Sequence, residues 1–275
     1  MRRLALVALL ITSCATARVD DAPFRVMTYN IRLNLASDGP NAWPHRRDAV
    51  ASMVRFHDPD LLSLQEAMPD QLIDLDARLD GFARFGSGRD AGGDGEHCAV
   101  YYRTSRFELL SDETSWLSPT PGVAGSKGWD AAYPRVVTHG RLRDRTTGNV
   151  IDLFNTHLDH VGVVARAESA RMIADRLAAV HGPVIVTGDF NDVPASEPYA
   201  ILAGAGLRDA MSASQMPHHG PTSTWNAFKA IVPARRIDFI FVRGDIEVLR
   251  HGVVAEILED GRFPSDHLPV LAELQ

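Results

Sequence analysis

From Phe24 onward, short apolar and β-branched runs recur along the chain, separated by polar stretches. Runs at Phe24–Tyr29, Leu61–Leu64, Ala99–Tyr102, Val136–Leu142, Val150–Asn155, Val184–Thr187, Asp238–Val242 and Leu268–Leu271 predict strands. Three segments carry a helical period instead. Arg46–His57 follows Pro44 and spaces Val50, Met53 and Val54 on one face. Pro69–Leu79 repeats Leu72, Ile73, Leu75 and Leu79, and Val164–Val180 repeats Ala170, Ile173, Ala174 and Leu177. Strands and helices are mixed without strict alternation, and several strand pairs lie close enough for hairpins. That pattern predicts a mixed sheet system covered by helices, not a barrel or a doubly wound sheet.

Four long irregular stretches remain: Asn34–His45, Gly86–Gly95, Ser118–Pro134 and Met211–Ala234. Loops of this length in a compact domain are usually functional or disordered. Trp43, Trp116, Trp129, Tyr133 and Trp225 sit in or beside them, either to line a pocket or to plug the loops onto the core.

Composition narrows the class. The chain has 275 residues, 45% of them apolar, enough for one large core. No apolar run approaches the roughly 18 residues that a spanning helix requires. A formal net charge of −7 argues against a protein that holds nucleic acid through a broad basic surface. No repeat or linker divides the chain after Phe24, so one domain over residues 22–275 is expected.

The amino terminus reads as a leader spanning residues 1–17. Met1-Arg2-Arg3 is a positive start and Leu4–Ile11 a short apolar run. Ile11-Thr12-Ser13-Cys14 is similar to a bacterial lipobox, which would leave Cys14 as a lipid-bearing first residue; Ala15-Thr16-Ala17 also offers an ordinary cleavage site. Both readings place the mature protein outside the cytoplasm, either as a cell-envelope lipoprotein held to a membrane through Cys14 or freely secreted. Cleavage before Cys14 removes Arg2 and Arg3, taking the net charge from −7 to −9. Cys98 has no cysteine partner within the domain and reads as a small buried apolar residue. A monomer is expected.

Candidate chemistry gathers at the strand ends. Asn30 follows Met27-Thr28-Tyr29, Glu66 closes Leu62-Ser63-Leu64-Gln65, and His157 closes Leu153-Phe154-Asn155-Thr156. Asp189 and Asn191 stand in Gly188-Asp189-Phe190-Asn191, Asp238 in Ile237-Asp238-Phe239, and Asp266 and His267 in Ser265-Asp266-His267-Leu268-Pro269-Val270. One polar residue at a strand end is routinely a turn former, but so many in one chain suggest a single site. Carboxylates with amide oxygens make a hard site suited to Mg²⁺ or Mn²⁺. Asp238 is available to orient an imidazole, which can act as a base near neutral pH. These are components for metal-assisted attack of water on a phosphoryl group.

This ordered set of motifs resembles the endonuclease/exonuclease/phosphatase superfamily, the DNase I-like phosphoesterases, from about Phe24 to the carboxyl end. The resemblance implies a four-layer α/β sandwich, two mixed β-sheets packed face to face with helices outside. It implies Glu66 as principal metal ligand, with Asn30 and Asp266 beside the metal. Asp189 and Asn191 would position the attacking water, Asn191 also steadying the transition state, and His157 would bond a phosphoryl oxygen. His267 paired with Asp238 would be general base or phosphate clamp. Glu96, through its spacing to Arg103, would orient His157.

The implied activity is hydrolysis of a phosphoester, phosphodiesters being favoured over monoesters. A nuclease acting on DNA or RNA, a phosphatase for lipid head groups or small metabolites, and an inactive binding module are the alternatives. Two departures count against a duplex-DNA nuclease. Arg32 stands where abasic-site enzymes carry an acid, and Ala67-Met68 stands where DNase I-like nucleases place an arginine. The stretches 38–47 and 156–162 resemble a bacterial secreted subgroup. For substrate contact, Arg135 and His160 are the leading candidates. Arg46, Arg47 and Arg166 could grip a phosphate or sit on exposed helix faces, and Arg141, Arg143 and Arg145 share one strand face.

Overall fold

In the computed structural model, which describes residues 22–275, the apolar runs become two six-stranded sheets. The first sheet holds β1 (Phe24–Asn30), β2 (Leu61–Gln65), β3 (Phe82–Phe85), β4 (Val100–Arg103), β11 (Val248–Val253) and β12 (Val270–Leu274), in the order β11-β12-β1-β2-β4-β3. The second holds β5 (Phe107–Trp116), β6 (Val136–Asp144), β7 (Val150–His157), β8 (Val184–Asp189), β9 (Arg208–Asp209) and β10 (Asp238–Arg243), in the order β5-β6-β7-β8-β10-β9. Each sheet has one parallel pair near its middle, β1 with β2 and β7 with β8; the other pairs are antiparallel. Helices α1 (Arg47–His57) and α2 (Pro69–Asp76) cover the first sheet, and α3 (Val163–Ala178) and α4 (Glu197–Gly204) cover the second. A single turn, α5 (Ala210–Ala213), follows β9. Among the described residues, no helix is long and apolar enough to cross a membrane. This is the four-layer sandwich expected from the resemblance.

Strand alternation assigns each side chain to a layer. In β1, Met27 and Tyr29 point to the helices while Val26, Thr28 and Asn30 point between the sheets. The same parity sends Val184 and Val186 of β8 outward and Ile185, Thr187 and Asp189 inward. The layer between the sheets is apolar where Phe24, Leu61, Leu153, Ile185 and Ile240 meet. It turns polar toward the carboxyl ends of the two parallel pairs. There Gln65 Nε2 donates to Thr28 Oγ1 at 3.0 Å and to Asn155 Oδ1 at 2.7 Å. Asn155 Nδ2 donates to the carbonyls of Leu64 (2.9 Å) and Ala99 (3.0 Å), and Thr187 Oγ1 donates to Ser63 Oγ at 2.7 Å. All five polar side chains are buried and paired with one another, so the two sheets are pinned in register immediately beneath the strand ends.

Several sequence boundaries shift. The last strand begins at Val270, not Leu268, because Trp225 bridges His267 and Thr224 holds the Leu268 N–H. Six further strands and helices lie outside the periodic runs: β3, β5, β9, β11, α4 and α5. Cys98 is buried, 3% exposed, and burial pushes its thiol up to about 12, as fits an inert apolar residue. Cys14 and the rest of the leader lie outside the described residues.

Candidate active site

The parallel pairs carry Asn30, Glu66, His157 and Asp189 to one end of the sandwich, where ligands bind in open sheets of this kind. Asn30 is fully buried and its amide nitrogen donates to Glu66 Oε1 and to Asp189 Oδ2, both at 2.9 Å, so one side chain ties the carboxylates of the two sheets together. Its oxygen accepts from the Arg32 N–H at 3.0 Å. Glu66 follows β2 at φ 59 and Asn191 follows β8 at φ 49, left-handed conformations that non-glycine residues rarely adopt and that cluster at functional sites.

Around Asp189 stand two imidazoles. His157 Nε2 is 3.6 Å from Asp189 Oδ2, and His267 Nε2 is 3.7 Å from the same oxygen. Asn191 Nδ2 donates to His157 Nε2 at 2.9 Å and to the Leu158 carbonyl at 3.0 Å, while Asp189 Oδ1 accepts the Asn191 N–H at 2.8 Å. His267 Nδ1 donates to Asp238 Oδ2 at 2.9 Å, and both residues are buried. Glu96 reaches His157 Nδ1 at only 3.8 Å, beyond hydrogen-bond range, and its other oxygen is held by Arg89 at 2.6 Å. Asp266 lines the same cleft, and its backbone carbonyl accepts from Asn226 at 2.8 Å.

Burial and mutual repulsion set the charges. Burial, with Asp238 behind it, raises the Asp189 carboxyl to about 7. Burial, with Glu66 beside it, raises Glu96 to about 7. Burial also lifts Asp266, Glu66 adding to the effect while His267 opposes it. For His267, burial works against the charged form, but Asp238 and Asp189 outweigh it and hold the imidazole well above its usual value. His157 is held well below by burial and then by Arg135 and Arg89. One imidazole is therefore charged and the other neutral on either side of one carboxylate.

Glu66, His157 and Asp189 offer ligand atoms within 4.8 Å of one another, as do Asp189, Asp238 and His267. Crowded oxygen donors, among them Asp189 raised by burial and by Asp238, are a set that a divalent cation would relieve, so the residues fit a hard metal ion. Asn30 presents amide hydrogens toward these carboxylates, so as arranged it braces them.

The cleft above this centre measures about 610 Å³ and is lined by Arg32, Arg89, Tyr133, His160, Trp225 and Arg235 besides the residues already described. The loop aromatics divide between the two roles open to them. Tyr133 and Trp225 face the cleft, whereas Trp43 is buried under α1 and α2 and Trp116 packs on Cys98 and Val136. Arg89 and Arg235 were not among the candidate residues. They lie in or directly after the irregular stretches, where no period indicates which way a side chain points.

The arginine candidates also separate. Arg135 is 4% exposed and turned toward Asp159 and His160, while His160 is exposed at the cleft. Arg46 is buried, not on an exposed helix face, and donates to the carbonyls of Ile31, Arg32, Asn41 and Pro264. Arg47 pairs with Asp74, and Arg166 with Asp192 and the Asp159 carbonyl. Arg141, Arg143 and Arg145 pair with Asp152 and Glu108 on the outer sheet face.

Two sheets thus carry a carboxylate and imidazole centre at one end. Residues 27–267 match the model of the Endonuclease/Exonuclease/phosphatase family, and the chain belongs to that family, whose members are hydrolases acting on phosphoester bonds. A solved Bacteroides thetaiotaomicron structure described as a mannosyl-6-phosphatase is 35% identical, with TM-score 0.84, covering 92% of this chain and 99% of that one. A family structure from Bacteroides vulgatus is 34% identical, with TM-score 0.87, covering 92% and 99%. Among curated proteins, Protein angel of Drosophila melanogaster is 27% identical over 205 residues, 66% of this chain and 56% of that protein. Nocturnin of Drosophila melanogaster is 22% identical over 322 residues, so this chain spans about half the length of those relatives (56% and 48%).

Proposed function

We propose that the protein is a phosphoesterase dependent on Mg²⁺ or Mn²⁺, in which Asp189 takes the proton of the attacking water. The observation that carries the reading is the convergence of Glu66, His157 and Asp189, with the Asp238–His267 pair behind them. Asp189 is oriented by Asn30 and by the Asn191 N–H, and with its carboxyl raised to about 7 it can accept a proton near neutral pH. His267, held charged by Asp238 and Asp189, serves better as a clamp on a phosphoryl oxygen than as the base. His157 and the Asn191 amide lie where negative charge would move onto the phosphoryl oxygens. Glu66, with Asp266 beside it, would hold the divalent ion, which when bound neutralises the carboxylates and polarises the phosphoryl group.

Small phosphorylated molecules are the substrate class we favour over nucleic acid and over the phosphodiester expectation. The relative described as a mannosyl-6-phosphatase, at 35% identity and near-complete coverage, supports this. A structural neighbour bound to single-stranded DNA, at 20% identity, speaks only to the fold. Export, lipidation at Cys14 and a monomeric state remain part of the proposal. The test is a substrate panel of hexose phosphates, a chromogenic diester, phospholipids and single- and double-stranded nucleic acids, with and without chelator. Chelator-sensitive release of phosphate from small monoesters is the expected result. Selective degradation of nucleic acid would instead establish a nuclease, and no hydrolysis of any ester would leave the binding-module alternative.

A further inference from the structure

Beside the carboxylate centre, one wall of the cleft is made of hydrogen-bond donors. The turn after β7 is anchored by Asp159, 1% exposed, which accepts from the backbone of Ala132 (3.1 Å), Val161 (3.0 Å) and Gly162 (2.7 Å) and from Arg135 Nε (3.2 Å). The loop ending at Arg135 is thereby locked onto the turn that carries His160. Arg135 Nη2 then lies 3.0 Å from His160 Nδ1. A guanidinium can only donate, so Nδ1 is the acceptor and neutral His160 carries its proton on Nε2. Burial and the Arg135 charge both lower the pKa of His160, in keeping with a neutral ring. Tyr133 stacks against His160 with centroids 5.9 Å apart and planes at 18°, and is 51% exposed. Arg89 lies over the Tyr133 ring at 4.9 Å.

The charges of this wall face inward. Arg135 is turned to Asp159, with its Nη1 sealed from solvent, and Arg89 is paired with Glu96 at 2.6 Å. What the wall offers a ligand is uncharged: an imidazole N–H and a phenol O–H on a partly apolar surface. On this wall both guanidiniums are engaged, the remaining cleft arginine without an acidic partner, Arg235, lying over Trp225, and hydroxyl oxygens are matched by the neutral donors on an aromatic flank.

We infer that His160, fixed as the Nε2–H tautomer by Arg135 and flanked by Tyr133, is a specificity subsite for a hydroxyl-bearing alcohol, a sugar or polyol, esterified to the reacting phosphate. The inference rests on the phosphoesterase reading and gives its substrate a chemical class. Arg135, turned to Asp159, is a positioning residue that acts through His160.

The test uses the full chain with Mg²⁺ and compares kcat/KM for a hexose 6-phosphate with that for phenyl phosphate, whose alcohol lacks hydroxyls. His160→Phe keeps a ring against Tyr133 and removes the donor; since His160 is exposed, the fold tolerates the change. Loss of one neutral hydrogen bond lowers the hexose-to-phenyl selectivity ratio by about tenfold. Nitrogen NMR of the wild type shows His160 as the Nε2–H tautomer without any turnover, and Arg135→Lys mixes the tautomers and lowers the same ratio. An unchanged ratio in His160→Phe overturns the subsite, as does an Nδ1–H tautomer in the wild type. Failure of the wild type to cleave any ester overturns the phosphoesterase reading instead, an outcome set apart by the tautomer spectrum, which needs no activity.

Discussion

Gln65 and Asn155, on facing sheets and ninety residues apart in sequence, share a buried hydrogen bond of 2.7 Å directly under the strand ends that bear Glu66 and His157. The bond makes the spacing between the two halves of the site a property of the sandwich interior. Asn155→Leu removes three buried hydrogen bonds, to the carbonyls of Leu64 and Ala99 and from the Gln65 amide, although Gln65 keeps Thr28 and Ala99 keeps the Leu64 N–H. A buried hydrogen bond contributes roughly 1 kcal/mol net, so a total loss on the order of 3 kcal/mol is expected in urea unfolding. A variant as stable as the wild type contradicts the pinning role.

Asp238 sets the state of His267. Asp238→Asn preserves shape but removes the charge that raises the imidazole, so the His267 pKa falls toward its ordinary value. With the clamp on the phosphoryl oxygen weakened, activity at neutral pH is expected to drop by about 10²–10³-fold. The His267 titration followed by NMR checks the cause, and a pKa left high in this variant would refute it.

Acid stability provides an independent check away from the site. His251 of β11 is 4% exposed and shares its Nδ1 with His218 Nδ1 at 3.0 Å; burial and His218 lower its pKa to about 4. Its folded value lies below the ordinary histidine value of about 6.5, so the unfolded chain binds more protons between those limits. Stability therefore falls as pH drops from about 6.5 to about 4, by on the order of 3 kcal/mol at the lower end. His251→Gln cannot titrate and should lose less over that window. Parallel unfolding curves for both proteins across these pH values would contradict the assignment.

On the proposed reading, a divalent ion that relieves the carboxylate cluster would bind the folded chain in preference to the unfolded one. Saturating Mg²⁺ or Mn²⁺ is expected to raise Tm, since a ligand at 100 times its Kd contributes about 2.7 kcal/mol. In Glu66→Gln the rise shrinks. A Tm shift of equal size in both proteins would remove Glu66 from the metal site.

The sequence is most legible where one physical signal dominates. β1, β2, β7 and β8 are buried on both faces and read as continuous apolar runs ending in the residues of the site. β5 was missed because its Ser111-Asp112-Glu113 stretch is solvent-exposed and β-poor, and β11 because Arg250, His251 and Gly252 interrupt it at a bulge. The pinning layer leaves a signal of its own: Thr28, Asn155 and Thr187 each stand two residues before Asn30, His157 and Asp189, on the same strand face. The partnership of Arg135 with Asp159 and His160 spans 24 and 25 residues across the β6–β7 hairpin, and no local period encodes it.

The central claim is that Asp189, gripped by Asn30 and flanked by His157 and His267, receives the proton of the attacking water. It is tested most directly by phosphate release from a small monoester with Mg²⁺ in the wild type and in Asp189→Asn, with the fold of both verified by thermal melting. The account predicts a loss of about 10³-fold or more in kcat for the folded variant. Full activity in Asp189→Asn would contradict it.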